Sequence, residues 1–414
     1  MPSILTRPSG GTGGDAPSVS VALSDATIDY GNTVTITATP SDIVPTNYKA
    51  FAESTANSLT YIGDQAGAVF NWLVNSDSGS NEIFVQADNG STKSCINIGG
   101  EALTVTTNYL LNYTTFLACW SAIKRGETFS NPILRALRSS DNDEADFTPV
   151  TGTPEYFDGS ATASNASPAT HNGDTFAVFI GSDNGTTPDW YDQVGSYDAV
   201  QTTLSKQPTI ATGGTVETIS GNSCYSFDGG DNILTWNNTT APAAWQGLSD
   251  AITIIAWVSA DAITGSGGLV NPEHTLVELR VNATGSASKT PFSLGFSDSK
   301  VEVGFTDNYI SGAEKIQSVA TLSTGTLYQI AITIDGDDVS IYIDGQLDHT
   351  HTLSTATGDR SVGTNNSSLC IGSRTRDGGQ ADQNYFTGDI VDLIVASSVL
   401  TSNDILNIYN FYQS

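Results

Sequence analysis

In the stretch GNTVTITATP (31–40) every second side chain, Val34, Ile36 and Ala38, is apolar, and the residues between them are threonine. A period of two gathers the apolar groups on one face of an extended strand, whereas a helix repeats its faces every 3.6 residues or so. The same period recurs at Val19, Val21 and Leu23, at Phe70, Trp72 and Val74, and at Ile83, Val85 and Ala87. It returns at Ile252, Ile254, Ala256 and Val258, and through 330–334, 339–343 and 390–396. Turn formers separate the runs at Tyr30-Gly31-Asn32, Asp77-Ser78-Gly79, Asp88-Asn89-Gly90, Asp335-Gly336-Asp337-Asp338 and Asp344-Gly345. Short strands joined by tight turns make this an all-β chain, and its usage agrees, with 40 glycines and only 14% charged residues.

A chain of 414 residues exceeds the usual single-domain size, so two or three domains with separate cores are expected. Fifteen Lys+Arg stand against 44 Asp+Glu, a formal net charge of -29. Such a surface repels phosphate backbones and anionic membranes, so nucleic acid is excluded as a partner. No apolar stretch of about 20 residues exists to span a bilayer. Met1–Gly14 lacks the apolar core of a secretory signal, and no export leader is expected. Cys95, Cys119, Cys224 and Cys370 stand far apart, without the paired spacings of zinc or redox motifs. They read as free buried thiols or, for Cys224 and Cys370, as a bridge between strand-like segments near the two ends of one domain; spacing does not choose.

Three segments follow. Residues 1–17 are a Gly-rich arm in which Ile4 and Leu5, beside Pro2 and Pro8, are the apolar anchor. Residues 18–107 form a β-sandwich spacer whose order of elements, a T-V-T-I-T-A strand after a Gly-Asn turn, resembles bacterial immunoglobulin-like and polycystic-kidney-disease-type domains. Residues 108–414 form the largest unit. Its leading part, 108–220, carries LRALRSSDNDEADF (134–147) and FAVFIGSDNGTTPDWYDQVGSYDAVQTTLSKQPTI (176–210), which resemble the start of the sandwich in α-L-arabinofuranosidase-B-type proteins. Trp190 and Tyr191 supply large apolar faces there, and Asp192 and Gln193 suit bonding to turn backbone. The main part, 221–414, holds SCYSFDGGDNILTW, AITIIAWVSA, LYQIAITIDGDDVSIYIDGQLD and FTGDIVDLIVASSVLTSNDILNIYN. In that order these resemble a laminin-G-like, concanavalin A-like jelly roll, with Thr401-Ser402-Asn403-Asp404 capping a short C-terminal helix. The fold class implied is an immunoglobulin-like β-sandwich followed by a concanavalin A-like (laminin-G-type) jelly-roll sandwich.

A fold of this type hosts lectins, glycosidases, adhesion modules and virion proteins, so function must be sought in a site. Glu273 and Glu278, near His274, are the best acidic candidates in the domain, but 44 acids offer many pairs and no geometry. The arabinofuranosidases carry adjacent cysteines near their active site and this chain has none, so no nucleophile and no acid are carried over, and a non-enzyme is expected. His349 and His351 alternate on one side of a strand, a conceivable metal pair, with Asp348 facing away. The resemblance implies a rim Ca²⁺ site, for which Asp228, Asp231, Asp335 and Asp337 are the first candidates and Asp338, Asp377 and Asp382 further ones. Tyr309, Arg374, Arg376, Tyr385 and Phe386 cluster aromatics and arginines in the loops at 306–316 and 374–386, a ligand-binding rim suited to stacking on sugar faces.

Arm, spacer and terminal lectin-like sandwich together resemble bacteriophage virion proteins that display a binding domain outward. The expectation is a non-catalytic spike or receptor-binding protein on the virion surface. Its arm would meet other virion or capsid proteins, and its distal domain a host glycan or receptor. It would be a homo-oligomer, with a trimer as the expected form. The alternatives are a purely structural capsid or decoration protein, and a secreted glycosidase or carbohydrate-binding module.

Overall fold

In a computed structural model of the protein the described residues are 18–24, 27–29, 33–41, 45, 47–54, 59–73, 79–88, 94–96, 101–106, 116–121, 123–124, 132–148, 155–194, 197–238, 245, 251–265, 272–282, 289–306, 314–353, 366–374 and 384–413. The anchor residues Ile4 and Leu5, with the rest of the arm, lie outside them. The chain divides into two compact units, Met1–Asn112 and Tyr113–Ser414.

In the first unit Thr33–Ser41 pairs antiparallel with Ser18–Leu23 on one side and Val69–Leu73 on the other. A second sheet runs Thr27–Asp29, Glu101–Thr106, Gly79–Asp88, Asn47–Ser54, Leu59–Gln65. Val34, Ile36 and Ala38 from the first sheet share one core with Ile83, Val85 and Ala87 from the second. Between them Thr37 and Thr39 are exposed. The period of two is therefore the two-sidedness of a sandwich sheet: apolar inward, threonine outward.

The second unit is all antiparallel in its ladders. Its first sheet runs Gln346–Thr352, Asp338–Ile343, Leu327–Asp335, Ala251–Ala260, Thr387–Ala396. The far edge of Thr387–Ala396 carries both Phe116–Ser121 and Tyr225–Asp228. The Asp335–Asp338 pair closes the first hairpin over Gly336 at φ +60, and Asp344 (φ +50) with Gly345 (φ +74) closes the second. Two successive positive φ values are what an Asp-Gly hairpin turn supplies. Ile252, Ile254 and Ala256 align with Ile334, Ile332 and Ile330 and form the inner face. The outer face is covered as well: Thr253 Oγ1 donates to the Ser398 carbonyl, and Tyr342 Oη lies 3.2 Å from Ser402 Oγ at the start of the helix Ser402–Gln413. That helix begins on a reciprocal cap, with Thr401 N–H donating to Asp404 Oδ2 (2.8 Å) and Asp404 N–H to Thr401 Oγ1 (3.2 Å).

The second sheet runs Glu314–Gln317, Lys300–Thr306, Lys289–Ser297, His274–Asn282, Asn366–Ile371, Leu234–Asn238, and continues through Ala199–Val200 into the leading segment. There Gly185–Trp190, Leu134–Arg138, Glu144–Thr148 and Thr162–Ser167 pair in turn. Thr209–Thr212 pairs with both Gly185–Trp190 and Tyr225–Asp228, which joins the two sheets. The motif residues have structural work here. Trp190 stacks on Tyr225 at 4.0 Å, and the Asp192 carboxylate accepts the Val194 and Tyr197 N–H groups. Cys224 and Cys370 are buried and form no disulfide; Cys370 lies in the second sheet, whereas Cys224 immediately precedes a strand that pairs with Thr387–Ala396 of the first. In the larger unit, Tyr113–Ser414, Phe116–Ser121 pairs with Thr387–Ala396. Among the described residues no helix is long and apolar enough to cross a membrane.

Candidate functional site

Three neighbouring strands of the second sheet read V-E-L-R-V (277–281), F-S-L-G-F (292–296) and V-E-V-G-F (301–305). In each the apolar residues face inward: Val277 is level with Ile371 and Leu294, and Leu294 with Val303. The alternate positions then form a polar row on the other face. Thr235, Cys370, Glu278, Ser293, Gly304 and Lys315 are successive cross-strand partners. One step along, Glu302 and Gln317 pair beside Gly295, and on the opposite flank Arg280 pairs with Ser368.

This face is polar and closed. Glu278, Ser293 and Glu302 are fully buried and Arg280 is 2% exposed. The Glu278 carboxylate is held by two guanidinium groups, Arg280 Nη1 at 3.6 Å from Oε1 and Arg374 Nε at 3.8 Å from Oε2. These are ion-pair distances longer than hydrogen bonds, and Glu278 Oε1, Ser293 Oγ and Glu302 Oε1 have no partner within hydrogen-bond geometry, although Arg280 and Ser293 lie near enough to favour the ionised Glu278. Burial raises the Glu278 pKa from 4.5 to about 7, against the lowering pull of Arg374 and then Arg280. Burial also raises the Glu302 pKa, opposed by Gln317, whose Nε2 donates to Oε2 at 2.8 Å, and by Lys315 at 3.3 Å. The accessible edges are Lys315 and Arg374, whose side chains are 35% and 15% exposed.

Of the expected rim, Arg374 reaches this face and Tyr385 lies beside its end. Tyr385 is half-buried, makes an isolated bridge with Thr275, and its carbonyl lies 3.4 Å from His274 Nδ1. Phe386 does not belong to a rim. Its ring is fully buried 6.1 Å from Phe227 and 6.0 Å from Phe296, so it has no face to offer a sugar. Tyr309 and Arg376 lie outside the described residues. Glu273 is exposed ahead of the strand while Glu278 is buried in its middle, so the two acids flanking His274 occupy different environments.

The aspartates proposed for Ca²⁺ lie in separate turns. Asp228 accepts the Gly230 N–H as a turn former, with Asp231 following, whereas Asp335 and Asp337 are exposed in the 335–338 hairpin. Among the described residues no three His, Cys, Asp or Glu side chains gather as a metal ion would need. His349 and His351 do share a face, with ring centroids 6.3 Å apart, and His351 Nε2 contacts Glu314 Oε1 at 2.8 Å. Asp348 points elsewhere and accepts the Val319 and Ala320 N–H groups.

Glu302, Ser293 and Arg280 were not singled out from the sequence. Their signal is the polar or glycine residue recurring between inward Val, Leu and Phe on three strands in a row, which marks a sheet whose second face is also covered.

Residues 228–406 match the family described as the concanavalin A-like lectin/glucanases superfamily. No curated protein matches the chain. Among solved structures it is similar to the CBM40 of Ruminococcus gnavus IT-sialidase bound to α2,3-sialyllactose, at 14% identity and TM-score 0.32 over 39% of this chain and 83% of that one. It is similar to the heptameric SAP-like pentraxin of Limulus polyphemus, at 17% identity and TM-score 0.33 over 44% and 80%. Domains LG4-5 of the mouse laminin α1 chain align at 16% identity and TM-score 0.29 over 45% and 46%.

Proposed function

We propose that the concanavalin A-like lectin/glucanase domain at residues 228–406 serves as a non-catalytic carbohydrate-recognition module, entered beside Arg374 or Lys315 at opposite flanks of its polar sheet face. The observation that carries this is the group Glu278, Ser293, Glu302, in which three buried polar atoms have no partner within hydrogen-bond geometry while a charged, partly exposed side chain borders each flank. Buried polar groups normally find partners, and sugar hydroxyls both donate and accept.

The finer reading is a display protein on a bacteriophage virion, with the first unit as an immunoglobulin-like spacer and the arm holding other virion proteins in a homo-oligomer. It is supported by the order of a Gly-rich arm, a sandwich and a lectin-like unit.

Glycan-array and calorimetric titration of the full chain tests the recognition module. At least one glycan should bind, and Arg374→Ala with Lys315→Ala should weaken it about tenfold or more in protein that still unfolds cooperatively, at a lower melting temperature because each change removes a partner of a buried carboxylate. No release of sugar from aryl glycosides is expected. Binding indifferent to both substitutions, or turnover abolished by Glu278→Gln, would overturn the reading. Co-sedimentation with virions, lost on deleting residues 1–14, tests the display; assembly with no glycan captured would favour a decoration protein.

A further inference from the structure

The two motifs of the leading segment, 134–147 and 176–210, converge on an open cleft of about 470 Å³ outside residues 228–406. From this geometry we infer a second ligand site that takes a neutral saccharide of one or two rings.

The cleft is preorganised. Asp146, Arg135 and Asp189 are successive cross-strand partners, and Arg135 is fixed between the two acids: Nε donates to Asp146 Oδ1 at 2.7 Å, and Nη1 lies 3.2 Å from Asp189 Oδ2. Tyr191 Oη donates to the same Asp146 Oδ1 at 2.7 Å. The opposite wall is equally set, since Gln207 bonds through both ends of its amide, to Gln201 O and from Thr186 Oγ1. At the rim Arg138 ties down the 138–143 turn, donating to Asp141, Asp143 and the Phe179 carbonyl. That turn puts Asn142 at φ +61 and leads into Glu144. Side chains already locked lose little freedom when a ligand arrives.

The groups with remaining capacity decide the ligand. Glu144, Asp189, Asn142 and Thr202 line the cleft alongside Pro188 and Leu204, which is 44% exposed. The carboxylates of Glu144 and Asp189 accept without donating, so they call for hydroxyl donors on the ligand, and Leu204 with Pro188 offers an apolar wall for the carbon face of a ring. The volume falls in the range of small-ligand pockets. One guanidinium stands against the carboxylates of Asp146, Asp189 and Glu144, an excess of negative charge that turns acidic sugars away. Burial raises the Asp189 pKa, which fits a carboxyl in want of a donor.

The site is independent of the polar sheet face, so the test uses the full chain carrying Arg374→Ala and Lys315→Ala. Saturation-transfer NMR is read with D-glucose, D-galactose, D-mannose, D-xylose, D-glucuronate and D-galacturonate. At least one neutral sugar should bind, its uronate counterpart should bind at least fivefold more weakly, and Leu204→Ala and Glu144→Ala should each weaken binding at least fivefold. Both substitutions are at side chains at least partly exposed, so folding is retained. Absence of any neutral-sugar signal, equal binding of uronates, or signals unchanged by both cleft substitutions would overturn the proposal.

Discussion

Glu278 is a carboxyl group with no exposed surface, and its environment decides its charge near neutrality. Burial penalises the ionised form more than Arg374 and Arg280 favour it, so the pKa rises from 4.5 to about 7. Between those two values the folded chain holds a proton that the unfolded chain has lost. The stability contributed is therefore complete below about pH 4.5 and is lost as pH rises through about 7. A shift of this size corresponds to roughly 3 kcal/mol. Urea unfolding of the wild type should show declining stability from pH 5 to 8, and Glu278→Gln should flatten that decline. Burial also raises Glu302, Asp189, Asp344 and Asp389, so a residual slope of the same sign should remain in the variant. Parallel curves for the two proteins would refute the account of Glu278.

At the scale of strands and turns, legibility in the sequence follows the range of the interaction. The hairpins at 335–338 and 344–345 were readable because a turn's conformation is set by its own residues, Gly336, Asp344 and Gly345. The cap at Thr401 and Asp404 is equally local. Burial on the second face of a sheet is not. Phe386 reads as an exposed loop aromatic until the chain returns beside Phe227 and Phe296, and Glu278 as a strand-edge acid until Cys370 and Ser293 flank it. Asp228, Asp231, Asp335 and Asp337 are all acids in turns, and sequence could not say that the turns are separate. Glycine within a strand is a similar long-range signal. A Cβ on Gly295 would sit 2.1 Å from the His274 carbonyl oxygen and 2.9 Å from Thr275 Cα, where the neighbouring strand bulges. Gly295→Ala must displace backbone and should destabilise the fold by more than about 2 kcal/mol in urea unfolding. A loss under half of that would show that the bulge relaxes freely.

Over the whole molecule, the strand patterns are continuous in kind from Ser18 to Ala396, yet two separate cores form, and charge and chain length account for the consequence. The first unit closes its core with residues between Val19 and Ala87, while the second draws Phe116–Ser121 onto Thr387–Ala396. A segment that pairs at the edge of a sheet of the second unit is withdrawn from the first unit, so the division falls at Asn112 and Tyr113. Each unit should then melt by itself, and the stability of one should not depend on the other. Limited proteolysis of the native chain should cut first between about 107 and 115, between the strand Glu101–Thr106 of one unit and Phe116–Ser121 of the other. The larger product should keep the melting temperature of the corresponding transition in the intact chain. A net charge of -29 works against each compact unit through self-repulsion, so added salt should raise both transitions. A single cooperative transition that resists cleavage throughout 107–115, or a larger fragment that unfolds once released, would mean that the two units are one folding body.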